Sequence, residues 1–374
     1  MSFCHSPWTN IDISPQGDLS PCCKFVHSTP PLNIKYNTID EYYNSSPLKE
    51  TKESFKNRRW PAGCERCRIE EENNIESKRI LDYTRWKNNY DTYQFDSKNF
   101  ITASVAFGNT CNLTCITCNP QSSSRWNKEF TDIYNIDIEP NHFYKSGFVE
   151  DFLSATPNLI HIDIPGGEPF LSGIKEQKIM LQHWISSGKA SDISIHYTTN
   201  VTLFPDKEWW EIWKQFKHVD IQLSIDGINE RAEYIRYPSK WSDIITNTRQ
   251  YIEKLTTMPN LQISVSHTVS AYNIFYLDEF FTWCNNIGLP RPWAGRVHNP
   301  PHMRPTVWPQ AARKFIADHL ISSDHPDVHT WAQLMYKLND EIYFDEFKMR
   351  TQQHDQYRNL SFASTFPEMS QWMI

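Results

Sequence analysis

The stretch ITASVAFGNTCNLTCITC, residues 101–118, carries the turning point of the chain. Residues 101–107 are a short apolar run of the kind that forms a buried strand. The run ends at Gly108, and Cys111, Cys115 and Cys118 follow at C-x3-C-x2-C spacing. Further strand candidates lie downstream: LIHIDI (159–164), DISIHYTT (192–199), VDIQLSI (219–225), LQISVSHTV (261–269) and a weaker PWAGRV (292–297). Helical periodicity falls between them, near 121–134, 172–187, 207–216, 241–256 and 274–287. Strands alternating with helices predict an α/β fold with a parallel sheet of βα units. Right-handed crossovers would wind it into a partial (β/α)6 barrel of the TIM type.

Upstream, residues 1–100 have a different texture. Segments such as SPQGDLSPCC and STPPLN are turn chemistry, with helices expected near 39–59 and 68–88. Residues 301–374 read as helical and capping, near 308–322 and 328–349. The expected organisation is a small irregular Cys-rich module over 1–100, a barrel over 101–300 and a C-terminal helical extension over 301–374. The 374 residues are ample for a hydrophobic core. With 37 basic against 44 acidic residues, a net of −7, duplex nucleic acid is a poor partner. No apolar run reaches the ~18 residues of a membrane span. Met1–Trp8 lacks the charged start and apolar stretch of an export signal, so the expected location is cytoplasmic. EWWEIW (208–213) has tryptophans at the spacing of a core-facing helix, and the EEE run (70–72) reads as a solvated helix face.

Eight of the nine cysteines precede residue 119. In a large chain without an export signal, this clustering points to metal or cluster binding rather than disulfides. Three thiolates on one tight loop can hold three irons of a [4Fe–4S] cube and leave the fourth iron open. Electron-transfer clusters have four cysteine ligands, so the open corner implies that something else binds there. Zinc is the alternative, but it favours paired ligands and a nearby fourth, and no histidine stands among these three cysteines. Cys4, Cys22, Cys64 and Cys67 form a second set, in which Cys64 and Cys67 are a C-x2-C pair. Four ligands suit either a fully ligated [4Fe–4S] cluster or a structural zinc ribbon. Cys23 is a spare or an alternative to Cys22. Cys284, on an expected helix, reads as a small buried hydrophobe. In a βα sheet the chemistry gathers at the carboxyl ends of the strands. PGGEPF, TTN, SIDG and VSAYN all fall there. His161 and Asp163 share one face of their strand, as an interior pair or a substrate contact.

CNLTCITC, with the GGEP of PGGEPF starting 48 residues beyond Cys118, resembles the cluster and GGEP motifs of the radical S-adenosylmethionine (SAM) enzymes. The resemblance covers roughly residues 101–300. It implies that the open iron chelates the amine and carboxylate of SAM. One-electron reduction then cleaves SAM to a 5′-deoxyadenosyl radical that abstracts a substrate hydrogen. It also implies SAM contacts. Gly166 and Gly167 would admit close backbone approach, Glu168 would orient the amine, and Pro169 would hold the turn. Asn200, Ser224 and Asp226 would meet ribose or carboxylate, with Asn273 nearby. Arg236 would pair with the SAM carboxylate. One departure is Thr117, where the family often has an aromatic residue.

FCHSPW, GDLSPCCKF and GCERC resemble the auxiliary-cluster modules called SPASM or twitch domains, in which a glycine stands five residues before a cysteine in a β-hairpin, as Gly17 stands before Cys22. In most of the family the module follows the barrel; here it precedes it. The resemblance implies a second, auxiliary [4Fe–4S] cluster, a one-electron donor such as a flavodoxin or ferredoxin, and a peptide or small-molecule substrate. Only three residues precede Cys4, so no separate leader-peptide domain is expected before it. Two rival classes are a zinc-stabilised binding protein without catalysis and an electron-transfer protein on the same fold.

Overall fold

The computed structural model describes residues 3–72, 76–90, 98–136 and 146–373. All six expected strands form: β3 (Thr102–Val105), β4 (His161–Ile164), β5 (Ser194–Thr199), β6 (His218–Ser224), β7 (Leu261–Val269) and β8 (Trp293–Arg296). Two more, β1 (Asn10–Ile13) and β2 (Leu19–Ser20), come from the region read as irregular. The hydrogen-bonded order is β2-β1-β3-β4-β5-β6-β7-β8. β1 and β2 form an antiparallel hairpin, whereas the pairs β1–β3, β3–β4, β4–β5 and β7–β8 are parallel. The described sheet therefore has eight strands where six were expected. NIDI is too short to stand out locally, and its partner β3 lies some ninety residues away, so only the pairing reveals it.

The chain divides into two compact units. The first comprises Met1–Thr110, Pro140–Tyr197 and Glu208–Val219; the second comprises Cys111–Glu139, Thr198–Lys207 and Asp220–Ile374.

In the first unit, strand alternation sorts the residues of β1, β3, β4 and β5 onto two faces. Ile11, Ile13, Ala103, Val105, Ile162, Ile164, Ile195 and Tyr197 are all at most 1 % exposed. The other face carries Asn10, Asp12, Thr102, Ser104, His161, Asp163, Ser194 and His196. The tryptophan helix Lys207–Trp213 is core, as its spacing predicts: the Trp213 ring lies tilted 5.2 Å from Tyr197 and 5.8 Å from Phe170. Burying each such ring contributes about 1.5–3 kcal/mol. The helix expected near 39–59 breaks into Ile39–Tyr43 and Ser46–Lys56. Pro47 has no amide to continue a helix but suits the first turn of a new one.

In the second unit, Tyr234, Tyr272, Trp308, Phe347, Phe362 and Phe366 interlock, with Tyr272–Phe347 at 5.0 Å, Trp308–Phe347 at 5.1 Å and Tyr234–Phe366 at 5.0 Å. The C-terminal residues are helical as expected, but the helix near 328–349 is two, Pro326–Lys337 and Phe344–Arg358. Asp340 separates them, accepting from Arg304 Nη1 at 2.7 Å and from the Thr306 hydroxyl. Cys284 is buried as expected, and burial pushes its thiol up to about 12. Among the described residues no helix is long and apolar enough to cross a membrane.

Candidate functional site

In the second unit the loop Cys111–Cys118 is braced from several sides. The amides of Thr114 and Ile116 donate to the carbonyls of Tyr237 (2.6 Å) and Ile235 (2.7 Å). Ser123 Oγ donates to Leu113 O at 2.6 Å, and Trp126 Nε1 to Cys115 O at 3.1 Å. Arg358 Nη2 donates to Thr114 O at 2.7 Å. Every backbone group so engaged fixes the direction in which a cysteine leaves the loop. The three thiols lie within one another's electrostatic field, together with the Arg236 guanidinium. Burial pushes the Cys115 thiol well up, against the pull of Arg236, and lifts Cys118 to about 11. Such thiols keep their protons at neutral pH until a metal displaces them.

Arg236 is 12 % exposed and sits 2.8 Å from Asp226 Oδ2, while its Nε is buried with no hydrogen-bond partner. Asp226 is buried and also takes the Thr268 amide on Oδ1 at 2.7 Å. Asn273 Nδ2 donates to Asp226 O at 3.0 Å and to Thr268 O at 2.9 Å. Asp226 and Asn273 thus form the mount of Arg236. Asn200 is drawn against the cysteine loop: its Nδ2 donates to Asn112 Oδ1 at 2.9 Å and lies 3.7 Å from Cys111 Sγ. Ser224 is the half-buried last residue of β6. His267 is fully buried, donates from Nδ1 to Ile225 O at 2.9 Å, and is pushed by burial down to about 4, which keeps it neutral.

The clamp on this loop escapes the sequence. Glu129 Oε1 receives Arg358 Nε at 2.8 Å and His354 Nδ1 at 3.1 Å, all three side chains being buried. Arg358 lies over the rings of Trp126 and Tyr237, 5.0 Å from each. Arg358 and Thr114 are 244 positions apart, and no local pattern links them.

In the first unit the GGEP turn follows β4. Gly166 has φ +90° and Gly167 φ +44°, where other L-residues are strained. A Cβ on Gly167 would collide with Thr110 O, and one on Gly166 would stand 2.5 Å from Ala106 Cβ. The Glu168 amide donates to Thr110 O at 2.8 Å, and the fully buried Glu168 carboxylate accepts from the Phe170 amide at 3.3 Å. Gln177 Nε2 donates to Pro169 O at 2.8 Å, and Gln177 Oε1 accepts from the Tyr197 hydroxyl at 3.2 Å.

The four N-terminal cysteines also converge in this unit. Gly17, at φ +87°, turns the β1–β2 hairpin that delivers Cys22. The Val26 amide donates to Gly63 O at 3.0 Å, joining the Cys22 loop to the Ala62–Cys64 turn. A Cβ on Gly63 would stand 2.5 Å from the Phe25 ring, a close packing that the sequence reading did not single out. Cys4 acts electrostatically on Cys22 and Cys64, and Cys67 acts on Cys4 and Cys64. Burial pushes the thiols of Cys4, Cys22 and Cys64 up. Arg79 anchors the segment, donating to Phe3 O at 2.7 Å and pairing with Glu71 at 2.5 Å. Cys23, by contrast, is exposed and lies in the field of Lys78, Asp12 and Asp163. Cys22 lies in the electrostatic field of Cys4. Among the described residues no group of three or more His, Cys, Asp or Glu side chains is drawn together closely enough to hold a single metal ion.

Residues 4–68 match the SPASM family, an iron–sulfur cluster-binding domain. No curated protein sequence matches the chain. Among solved structures, the chain is similar to anSMEcpe with bound AdoMet, at 14 % identity and a TM-score of 0.41, over 53 % of this chain and 50 % of that one. It is also similar to SuiB of Streptococcus suis bound to S-adenosylmethionine, at 13 % identity and a TM-score of 0.38, over 67 % and 54 %. TYW1 with a lysine–pyruvate adduct aligns at 12 % identity and a TM-score of 0.32, over 55 % and 70 %. The chain spans about half the length of the first of these structures.

Proposed function

We propose that this chain is a radical SAM enzyme whose partial (β/α)6 barrel is preceded by an auxiliary-cluster module. The observation that carries the reading is the braced loop on which Cys111, Cys115 and Cys118 share one electrostatic field with Arg236. Three thiols with no fourth beside them suit a cube with one open iron. The buried, unpartnered Nε–H of Arg236 fits the carboxylate of an amino-acid ligand. The glycine pair of the GGEP turn lets that turn pack directly against Ala106 and Thr110, on the stretch that runs into the cysteine loop. When bound, cluster and SAM supply reductive cleavage and a 5′-deoxyadenosyl radical for hydrogen abstraction.

In this reading Cys111, Cys115 and Cys118 hold the first cluster. Arg236, mounted on Asp226, takes the SAM carboxylate. Gly166, Gly167, Glu168, Pro169, Asn200 and Ser224 complete the SAM contacts. Cys4, Cys22, Cys64 and Cys67 hold a second, fully ligated cluster, which the SPASM match supports. Both clusters belong in a reducing cytoplasm, with a flavodoxin or ferredoxin as electron source. The substrate is a peptide or small molecule.

The test is anaerobic reconstitution followed by iron analysis and binding of radiolabelled SAM. Two cubes give about eight irons per chain. Replacing Cys111, Cys115 and Cys118 together by Ala should leave about four and abolish SAM binding. Full iron content, or undiminished SAM binding, in that variant overturns the assignment.

A further inference from the structure

The polar face of the first unit's sheet is ordered in rows. Asp12 of β1 pairs with Ser104 of β3, Ser104 with Asp163 of β4, and Asp163 with His196 of β5. In-register neighbours across a sheet share a face. With strands about 4.8 Å apart, Asp12 and Asp163 flank Ser104 at roughly 10 Å. The row beneath it runs Asn10, Thr102, His161 and Ser194. The helix Lys78–Tyr90 overlooks these rows with residues four apart. Lys78 acts on Asp12 and Asp163, Lys78 bonds Asp82 at 2.9 Å, and Trp86 lies 5.2 Å from the His161 ring. Cys23 opens onto the same place.

The charges on this face do not balance. Among the described residues Lys78 is the one lysine or arginine found acting on Asp12 and Asp163, and its ammonium is taken by Asp82. Asp163 is hydrogen-bonded to His161 Nε2 at 2.9 Å. That leaves Asp12, 8 % exposed, with a hydroxyl partner in Ser104 and no ion pair among the described residues. A second polar atom is also unanswered. His161 is 3 % exposed, and its Nδ1 is buried without a hydrogen-bond partner. A buried carboxylate without a cation is costly, as is a buried ring nitrogen without a donor. One group would relieve the carboxylate: an ammonium carries a positive charge and three N–H donors.

We propose that this polar face binds an ammonium group of the substrate, with Asp12 as its counter-ion. This rests on the radical SAM reading for the use made of the bound molecule, and narrows the substrate to an amine-bearing small molecule or an amino-bearing residue of a peptide. Asp163 and Ser104 supply further acceptors, and His161 orients Asp163. Burial lifts the Asp12 carboxyl to about 6, with Lys78 opposing and Asp163 adding to the rise, which fits a group made to meet a cation. Cys22, adjacent in sequence to Cys23, places this face beside the N-terminal cysteine set of the same unit.

The probe is n-butylammonium, with butyrate and sodium chloride as controls, read by thermal unfolding of the reconstituted protein without oxygen. A ligand that binds the folded state raises the melting temperature, here by about 1–2 °C when well above its Kd. The rise should occur with butylammonium and not with butyrate or salt. Asp12→Asn should abolish it. Lys78→Met, which removes the competing cation, should enlarge it. These opposite signs separate loss of the site from loss of the fold. An equal rise in the Asp12 variant, an equal rise with butyrate, no rise in the natural protein, or loss of the rise in the Lys78 variant each overturns the proposal. Retention of radiolabelled SAM by the natural protein is measured alongside. Failure there sinks the radical SAM reading and leaves the amine result to be judged by itself.

Discussion

Asp12→Asn has a consequence for stability that can be worked out in advance. Burial holds the Asp12 carboxyl at about 6, against 3.8 for an exposed aspartate. At 1.36 kcal/mol per pH unit the difference is about 3 kcal/mol. The sign follows from proton binding. Between roughly pH 4 and 6 the folded chain holds this proton and the unfolded chain has released it, so folding loses stability as pH rises through that window. The full penalty is present above pH 6 and absent below the unfolded value. Asn keeps the shape and the capacity to bond Ser104 but carries no charge. The variant should therefore be more stable than the natural protein by about 3 kcal/mol at pH 8 and by about half that at pH 5. With an unfolding entropy of about 2.1 cal/mol/K per residue, this is a gain near 4 °C at pH 8 and near 2 °C at pH 5. Differential scanning calorimetry of reconstituted protein without oxygen reads both. A variant less stable than the natural protein at pH 8, or one whose gain does not change with pH, would refute the reasoning. The cation-free carboxyl would then be a structural group rather than a binding group that costs stability.

Gly167→Ala should cost at least about 3 kcal/mol, because a Cβ there meets Thr110 O at a positive φ, whereas Gly188→Ala, with open space around it, should cost only about 1 kcal/mol. Equal melting temperatures for the two variants would remove the case for a cradle. Arg358→Met strands Glu129 in the core and unties Thr114, so it should destabilise by about 3–5 kcal/mol. Its iron content should fall toward that of the triple cysteine variant; undiminished iron would show the clamp to be dispensable. Replacing Cys64 and Cys67 together by Ala should leave SAM cleavage to 5′-deoxyadenosine running while product formation drops steeply. Unchanged product formation would reduce the N-terminal cysteines to a structural role.

What the sequence by itself determined is what short-range chemistry controls. Cys111, Cys115 and Cys118 must share a loop because eight residues cannot separate them. Gly166 and Gly167 stand out because few residues tolerate their φ values, and the six strands from Thr102 to Arg296 follow from apolar runs and alternation. The alternation in HIDI was equally legible, but not its meaning, and NIDI did not stand out at all. Period two says which residues share a face of one strand and nothing about which strand lies beside it. Only the register sets Asp12, Ser104, Asp163 and His196 in one row. Only tertiary packing gives Thr114 its guanidinium from Arg358, turns Asp226 toward Arg236, and sets Cys22 in the field of Cys4. In each case the partner is remote in sequence, and the energy that selects it comes from burying both groups together, a quantity that does not exist until the chain has folded.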